Sequence, residues 1–422
     1  MGSVGPKTVQ LDEHAWMTKI DGGPIVMSER ISTVRSVAAG IWVRWGASHD
    51  PEQQMGASHL LEHMIFKGTE RRTAREIAMG IEALGGSLDA YTSREHTACH
   101  ARVLDEHLPV ALDVLADLVY RPILRESDLE VERRVILEEI AGVEDTPDDL
   151  VFDLHSKALW GDHPYGYPVL GTAETVKAIT RDDLGDLWSR AYQPNVSVVC
   201  AAGHLEHDEL LELVARECPQ NGTAGVAPNL QRPSAEKPRE LRISRDSAQV
   251  HICMGTPTFP RSDPRRYASI LISTALGGGM SSRLFQRVRE ELGLAYTIFT
   301  FQSFYGEGGL AGIYMATRPD TADQAVGEVV RELEQISGSG LSGDELRDIK
   351  NQTKGQVLLS LESTSARLHR LAGVAVYGEP YMTLDDICAR IDAVTEEEVA
   401  ELCREYYAPD LQTIVRLGPN GE

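Results

Sequence analysis

The sequence predicts two related α/β domains of about 200 residues each, joined by a linker. One observation is the length, because 422 residues exceed a single ordinary domain. Another is an internal repeat, in which Glu-Ala-Leu-Gly at 82–85 corresponds to Glu-Glu-Leu-Gly at 290–293, 208 positions later. A further pair of phrases, each with Tyr and Pro two positions apart, lies near the end of each half, at 191–195 and 406–410.

The predicted domain boundary lies in a stretch without hydrophobic periodicity. Residues 221–238 are rich in Pro, Gly, Asn and Ser, so we interpret them as the linker. The first domain is therefore expected at 1–220 and the second at 239–422.

Composition and charge restrict the class of protein. The net charge of −23 disfavours nucleic acid and anionic membranes as partners. It favours cationic partners such as basic peptides, although an acidic surface also simply keeps a protein soluble. The six cysteines are scattered without a Cys-x-x-Cys pair, which is typical of reduced thiols. With no apolar run of about 18 residues and no signal peptide at 1–16, we expect a cytoplasmic protein.

In the first half, the elements follow from local patterns. Alternating apolar residues predict a strand over 34–45. A capping box of Thr73 and Glu76 predicts the start of a helix that ends near Leu84. The polar, two-sided stretch 87–102 is predicted to be one edge strand. Further strands are expected at 24–29 and 196–202, and further helices at 58–66, 108–118, 126–143, 145–159, 181–191 and 208–216.

The second half repeats this order. Strands are expected at 248–254 and 295–301, and helices at 264–276 and 282–292. At the 208-residue shift, His59 and His63 fall on Tyr267 and Leu271. The second domain should therefore keep the corresponding helix and lack its metal-binding groups.

The segment 58–66 carries the strongest chemical pattern, His-x-x-Glu-His. On a helix, His59 and His63 lie on one face, with Glu62 beside them. Two imidazoles at this spacing can hold zinc, and the carboxylate can accept a proton from water. This is the inverted form of the His-Glu-x-x-His motif. A five-residue pattern also occurs by chance, so a metal site at this segment requires a further ligand.

A third ligand is expected, because catalytic zinc usually has three protein ligands. The acidic helix from residue 126 offers the candidates Glu130, Glu132, Glu138 and Glu139. Such carboxylates can simply form a solvated helix face. The same helix is apolar at Leu129, Ile136 and Ile140, so one face must be buried.

These motifs resemble the pitrilysin/insulinase family of inverzincin metallopeptidases, and most closely its bacterial members similar to mitochondrial processing peptidase. The resemblance extends over nearly the whole chain. In that family, a glutamate about 75 residues after the second histidine is the third ligand. Here Glu139 lies 76 residues after His63, and Glu132 lies seven before Glu139. The resemblance implies His59, His63 and Glu139 as metal ligands and Glu132 as their supporting carboxylate, with Glu138 as the competitor for Glu139.

The phrase at 276–296 is also typical of the family. There, an Arg and a Tyr seven residues apart reach the substrate, which implies this role for Arg289 and Tyr296. Without the resemblance, a surface arginine and a half-buried tyrosine are the simpler interpretation.

The resemblance also implies a substrate-binding edge strand that includes Asp89, Ala90, Tyr91 and Thr92. The family usually has Asn where this chain has Asp89, which leaves the contact from this position open.

The resemblance implies an α+β fold: two homologous α/β-sandwich domains with antiparallel-rich sheets in a clam-shell arrangement. The expected function is a zinc endopeptidase with one Zn²⁺ per chain, Glu62 as general base, and a chamber between the domains for peptides or unfolded segments. Zn²⁺ is not distinguished from Mn²⁺ or Co²⁺ by such ligands. A homodimer is expected, with basic peptides as substrates. The alternatives are a silent assembly subunit and a chamber that binds peptides without cutting them.

Overall fold

The computed structural model describes residues 7–219, 230–234 and 236–419. The predicted linker 221–238 therefore lies largely outside the described residues. By contacts, the described chain divides into two compact units. Unit 1 comprises Met1–Ile140, Pro168–Asn229 and Ser360–Tyr381, and unit 2 comprises Ala141–Tyr167, Leu230–Leu359 and Met382–Glu422, in each case over their described parts.

Strands and helices are numbered in chain order. The strands in the described chain are β1 Lys7–Gln10, β2 Ala15–Lys19, β3 Ile25–Arg30, β4 Ser36–Val43, β5 Ser87–Thr92, β6 Thr97–Leu104, β7 Ser197–Gly203, β8 Glu240–Ser244, β9 Val250–Thr258, β10 Ala295–Phe304, β11 Gly309–Thr317 and β12 Thr413–Gly418.

The α-helices in the same residues are α1 Ala57–Ile65, α2 Ala74–Glu82, α3 Leu108–Tyr120, α4 Glu126–Glu144, α5 Pro147–Trp160, α6 Ala173–Ala178, α7 Arg181–Ala191, α8 His207–Glu217, α9 Arg266–Gly277, α10 Ala322–Ser339, α11 Gly343–Ser360, α12 Thr364–Tyr377, α13 Leu384–Ala393 and α14 Glu396–Tyr406. A π-helical segment, Phe285–Glu291, lies between α9 and β10.

Unit 1 is built on a seven-stranded sheet with the order β1-β2-β3-β7-β4-β6-β5. The strand pairs are antiparallel except β3 with β7. Side chains alternate along β4, so Ile41 packs with α1, α3 and α4 on one face, while Trp42 packs with α12 on the other. Both faces are therefore covered, and the strand β5 remains at an edge.

Unit 2 is built on a five-stranded sheet with the order β10-β11-β9-β12-β8. Here β8 and β12 are parallel and the other pairs antiparallel. One face packs against α9, α10 and α14, and the other packs against α5 through residues such as Val151 and Ala158.

The two sheets repeat one topology. The order β5-β6-β4-β7-β3 in unit 1 matches β10-β11-β9-β12-β8 in unit 2, and the parallel pair occupies the same place in both. The predicted fold class, two homologous α/β domains with antiparallel-rich sheets, is confirmed. The clam-shell arrangement stays a prediction.

The contact-based units correct the predicted contiguous division at residues 220 and 239. Helix α5, from the first half of the chain, covers the sheet of unit 2, and α12, from the second half, covers the sheet of unit 1. Each helix has an apolar face that needs a sheet, and an apolar face alone does not specify which sheet.

The predicted single strand 87–102 is also wrong. The chain turns between Thr92 and Thr97, and β5 pairs with β6 as a hairpin. The edge-strand prediction holds for β5 only, which pairs on one side.

Candidate metal centre

Helix α1, which carries the His-x-x-Glu-His pattern, begins at a fixed point. Gly56 precedes it with φ +90°, and a Cβ there would lie 2.5 Å from the Leu170 carbonyl oxygen, so the position requires glycine. The buried Asp50 carboxylate then accepts hydrogen bonds from Ser58 Oγ at 2.5 Å and Ser58 N at 3.1 Å. Asp50 thus satisfies a free amide of the first turn. These contacts fix the start of α1 and therefore the directions of the side chains that follow Ser58.

The structure brings His59, His63 and Glu139 together. Their ligand atoms lie within 4.8 Å of one another, in the one group of at least three such residues in the described chain that could hold a metal ion. His59 Nε2 lies 3.9 Å from Glu139 Oε2, and His63 Nε2 lies 3.8 Å from Glu139 Oε1. Two imidazoles and a carboxylate form a donor set of catalytic zinc sites. These residues therefore fit a zinc ion.

The other candidates for the third ligand lie elsewhere on α4. Glu130 and Glu138 are both solvent-exposed. Glu130 pairs with Arg133, one turn along the helix. The structure thus places Glu139, and neither of these two, beside the histidines.

Glu132 contacts the Nδ1 nitrogen of His63, whereas the Nε2 nitrogen faces Glu139. Glu132 is buried, and its carboxylate lies 3.2 Å from His63 Nδ1 and 2.7 Å from Lys67 Nζ. A carboxylate on Nδ1 fixes the imidazole so that Nε2 is left to bind a metal. Lys67 supplies the positive charge that a buried carboxylate needs.

Protonation at the site also suits metal binding. Burial, together with the nearby His63, lowers the pKa of His59 to about 4. His59 is consequently neutral near pH 7, which is the form that binds metals. Burial raises the pKa of Glu62, and this effect is opposed by Thr92 and His63 and strengthened by Glu139. A carboxylate with a raised pKa is a stronger base.

Glu62 is oriented by the edge strand. Thr92 Oγ1, at the end of β5, donates a hydrogen bond to Glu62 Oε2 at 2.7 Å. The predicted base and the predicted substrate-binding strand are therefore in direct contact within unit 1.

The predicted substrate-binding residues of β5 divide between the two faces of the sheet. Ala90 packs on the face of α1, where Thr92 also lies. Tyr91 faces α12, and its hydroxyl accepts a hydrogen bond from Trp42 Nε1 at 3.2 Å. Asp89 alternates with Ala90 and lies on the α12 side, opposite His100.

The two predicted residues of the second domain lie together in unit 2. The Arg289 guanidinium stacks on the rings of Phe285 and Tyr296, with its carbon 4.6 Å from each centroid. Tyr296 is 76% exposed at the start of β10, the strand that corresponds to β5. Their contact with substrate stays a prediction.

Sequence analysis did not single out Asp50 or Lys67. Asp50 acts through Ser58 and Lys67 acts through Glu132, and neither Asp50 nor Lys67 belongs to a recognisable motif. The position of Lys67, one turn after His63, could have indicated a partner for a carboxylate on another helix.

The fold and the site define a class of protein: a repeated α/β sandwich with one candidate zinc centre in its first unit. The family model described as insulinase (peptidase family M16) matches residues 25–173, and that of the peptidase M16 inactive domain matches 178–353. The chain belongs to the insulinase family, peptidase family M16.

Curated relatives carry names that agree with this family. An uncharacterised zinc protease of Streptomyces coelicolor is 38% identical over 92% of this chain and 86% of its own length. Another of Bacillus subtilis is 37% identical over 94% of this chain and 97% of its own. These names support a metalloprotease and zinc as the metal.

Solved structures show the same fold. A protease from Helicobacter pylori superposes with a TM-score of 0.90 at 21% identity, covering 98% of this chain and 100% of that one. A peptidase M16 inactive domain from Pseudomonas fluorescens gives 0.89 at 22% identity, covering 99% of each chain. Within the described residues, no helix is long and apolar enough to cross a membrane.

Proposed function

We propose that this protein is a zinc-dependent endopeptidase, with one zinc ion per chain, that cleaves peptides or unfolded segments. One observation carries the proposal. The cluster of His59, His63 and Glu139 adjoins Glu62, and Glu62 is hydrogen-bonded to the edge strand β5. The proposed metal ligands, the proposed base and a strand able to pair with a peptide thus occur in a single unit, which supports this function.

His59, His63 and Glu139 would hold the zinc, with Glu132 orienting His63. When bound, zinc polarises a carbonyl group and makes water more acidic. Glu62 accepts the proton from the attacking water and delivers it to the leaving amine as the peptide bond breaks. Its raised pKa supports both transfers, because the carboxylate must bind the proton and then release it.

Substrate binding would use the free edge of β5. A strand paired on one side leaves backbone N–H and C=O groups that an extended peptide can satisfy as an added strand. This mode needs an unfolded segment, because a folded strand already has its partners. The net charge of −23 supports basic peptides as substrates through long-range attraction.

The test is cleavage of a mixed peptide library, read by mass spectrometry. Wild type, chelated wild type and Glu62→Gln are compared with Glu82→Gln, which removes an exposed carboxylate at the end of α2. Wild type and Glu82→Gln should cleave. Glu62→Gln should keep its zinc and lose activity by about 100-fold or more.

Full activity in Glu62→Gln would remove this residue from the role of base. Binding of peptides by zinc-loaded wild type without cleavage would instead support a peptide-binding chamber. A protein that holds no metal would contradict the central claim and favour an assembly subunit.

We also propose that the enzyme is a homodimer. The support is that one chain carries both the metal ligands and the Arg289–Tyr296 pair, so no second type of subunit is required. Light scattering should give twice the mass of the chain, and activity that depends on a different co-purified subunit would contradict this.

A further inference from the structure

Asp89 is an exposed carboxylate on the edge strand. It lies in β5, next to His100 of β6 in the register of the hairpin. His100 in turn contacts His369 of α12, with ring centroids 5.0 Å apart. Asp89 therefore lies on the α12 face of this edge strand.

The charge of Asp89 is not neutralised by neighbouring side chains. Among the residues that the structure describes, no lysine or arginine nitrogen lies within 4.0 Å of its carboxylate. The His100 imidazole on the neighbouring strand interacts electrostatically with this carboxylate. Burial and the neighbouring His369 lower the pKa of His100, and Asp89 opposes this effect only in part. His100 is thus neutral near pH 7 and leaves a free negative charge at the edge.

A peptide added to β5 would bring one of its side chains next to Asp89. In paired strands, directly opposite residues lie on the same face of the sheet, about 5 Å apart at Cβ. The peptide residue opposite Asp89 must therefore project onto the α12 face. Opposite charges at such positions attract and like charges repel.

We propose that Asp89 selects substrates that carry a lysine or arginine at one fixed position from the cleaved bond. This inference rests on the proposed peptidase function and deepens it, because it identifies a specificity-determining residue. It replaces a general attraction between acidic protein and basic peptide with a contact at a single position.

The strand register explains why one position is selected. Thr92 lies three residues from Asp89 and contacts Glu62 on the opposite face. Side chains alternate between faces, so a peptide residue opposite Thr92 faces α1 when the residue opposite Asp89 faces α12. The distance along the peptide between the basic residue and the bond near Glu62 is therefore constant.

The experiment starts from one peptide cleaved by the wild type. Each position around the bond is replaced in turn by Lys, Met or Glu, since Met has a length similar to Lys without its charge. Within each variant, the ratio of kcat/KM for the Lys peptide to that for the Met peptide is measured. The variants are Asp89→Asn, Asp89→Lys and the control Glu82→Gln.

Wild type and Glu82→Gln should prefer Lys about fivefold at one position, and this preference should weaken in high salt. In Asp89→Asn the ratio should fall to about one, and Asp89→Lys should prefer Glu at that same position. An unchanged Lys preference in Asp89→Asn overturns the proposal, as does a preference spread evenly over all positions.

Binding of the same peptides to Glu62→Gln separates this inference from the proposed function. Fluorescence anisotropy measures affinity without cleavage. If no peptide is cut, the peptidase proposal fails. A Lys preference in binding that disappears in the Asp89→Asn, Glu62→Gln double variant would still support selection by Asp89, and equal binding of Lys and Met peptides would refute it.

Discussion

The Thr92 hydroxyl donates a hydrogen bond to the Glu62 carboxylate at 2.7 Å. Thr92 is the last residue of the edge strand β5, and Glu62 lies in the His-x-x-Glu-His segment of α1. A peptide that pairs with β5 would therefore lie beside Thr92, the residue that orients the proposed base Glu62.

Replacement of Thr92 should impair catalysis through Glu62. Hydrogen bonds to charged groups contribute about 1.5–3 kcal/mol, so Thr92→Val should lower kcat at least about tenfold. The hydroxyl stabilises the carboxylate and lowers the pKa of Glu62. Without it that pKa rises, and the acidic limb of the kcat/KM profile should move to higher pH. Thr92→Ser retains the donor and should resemble wild type, whereas an unshifted profile in Thr92→Val would argue against the link.

Glu139 and Glu138 are a matched pair for testing the third ligand. Glu139→Gln should weaken zinc binding by more than about 100-fold, because it removes a donor and a negative charge. Glu138 is exposed and outside the cluster, so Glu138→Gln should bind zinc as wild type does. Chelator competition measures both affinities. Equal losses in the two variants would contradict the assignment.

Lys67 should influence zinc through Glu132. Lys67→Met leaves the buried Glu132 without its ammonium partner, and Glu132 then holds His63 less firmly. We expect a loss of about 10–100-fold in zinc affinity, measured by chelator competition on protein shown to be folded by circular dichroism. Lys67→Arg should recover part of the loss. Wild-type affinity in Lys67→Met would mean that Glu132 is held by other contacts.

Asp50 should make stability depend on pH. Burial raises the pKa of Asp50 to about 7, well above the ordinary value for an aspartate, which the unfolded chain retains. Between these values the folded state holds a proton that the unfolded state releases, so the contribution of Asp50 to stability falls as pH rises. Asp50→Asn removes the titrating carboxyl group and with it this pH dependence. The Tm of Asp50→Asn relative to wild type should therefore increase between about pH 4 and pH 8. A difference that stays constant over this range would rule out the titration of Asp50.

Helix α1 can be predicted from sequence because its His-x-x-Glu-His pattern is local. His59 and His63 are four residues apart, and helical geometry alone places them together. Glu139 differs, since spacing on α4 leaves several carboxylates equivalent. Only packing of the apolar face of α4 determines which of them meets the histidines.

The hairpin of β5 and β6 could not be predicted in the same way. The turn at 93–96 reads Ser-Arg-Glu-His and has Ser93 as its one usual turn residue, without Gly, Pro, Asn or Asp, so its turn signal is weak. The stretch therefore resembles one long polar strand. The consequence for function is that Asp89 and Thr92 belong to an edge strand of only six residues.

Helix α12 comes from the second half of the chain but covers the sheet of unit 1, which determines when that sheet can be covered during synthesis. Arg367 of α12 pairs with Glu29 of β3, which lies 338 residues earlier. A nascent chain that stops before α12 leaves Met27 and Trp42 without the helix that covers them. The second face of the first sheet is thus covered only near the end of translation. Until then this apolar face is exposed to chaperones or to aggregation.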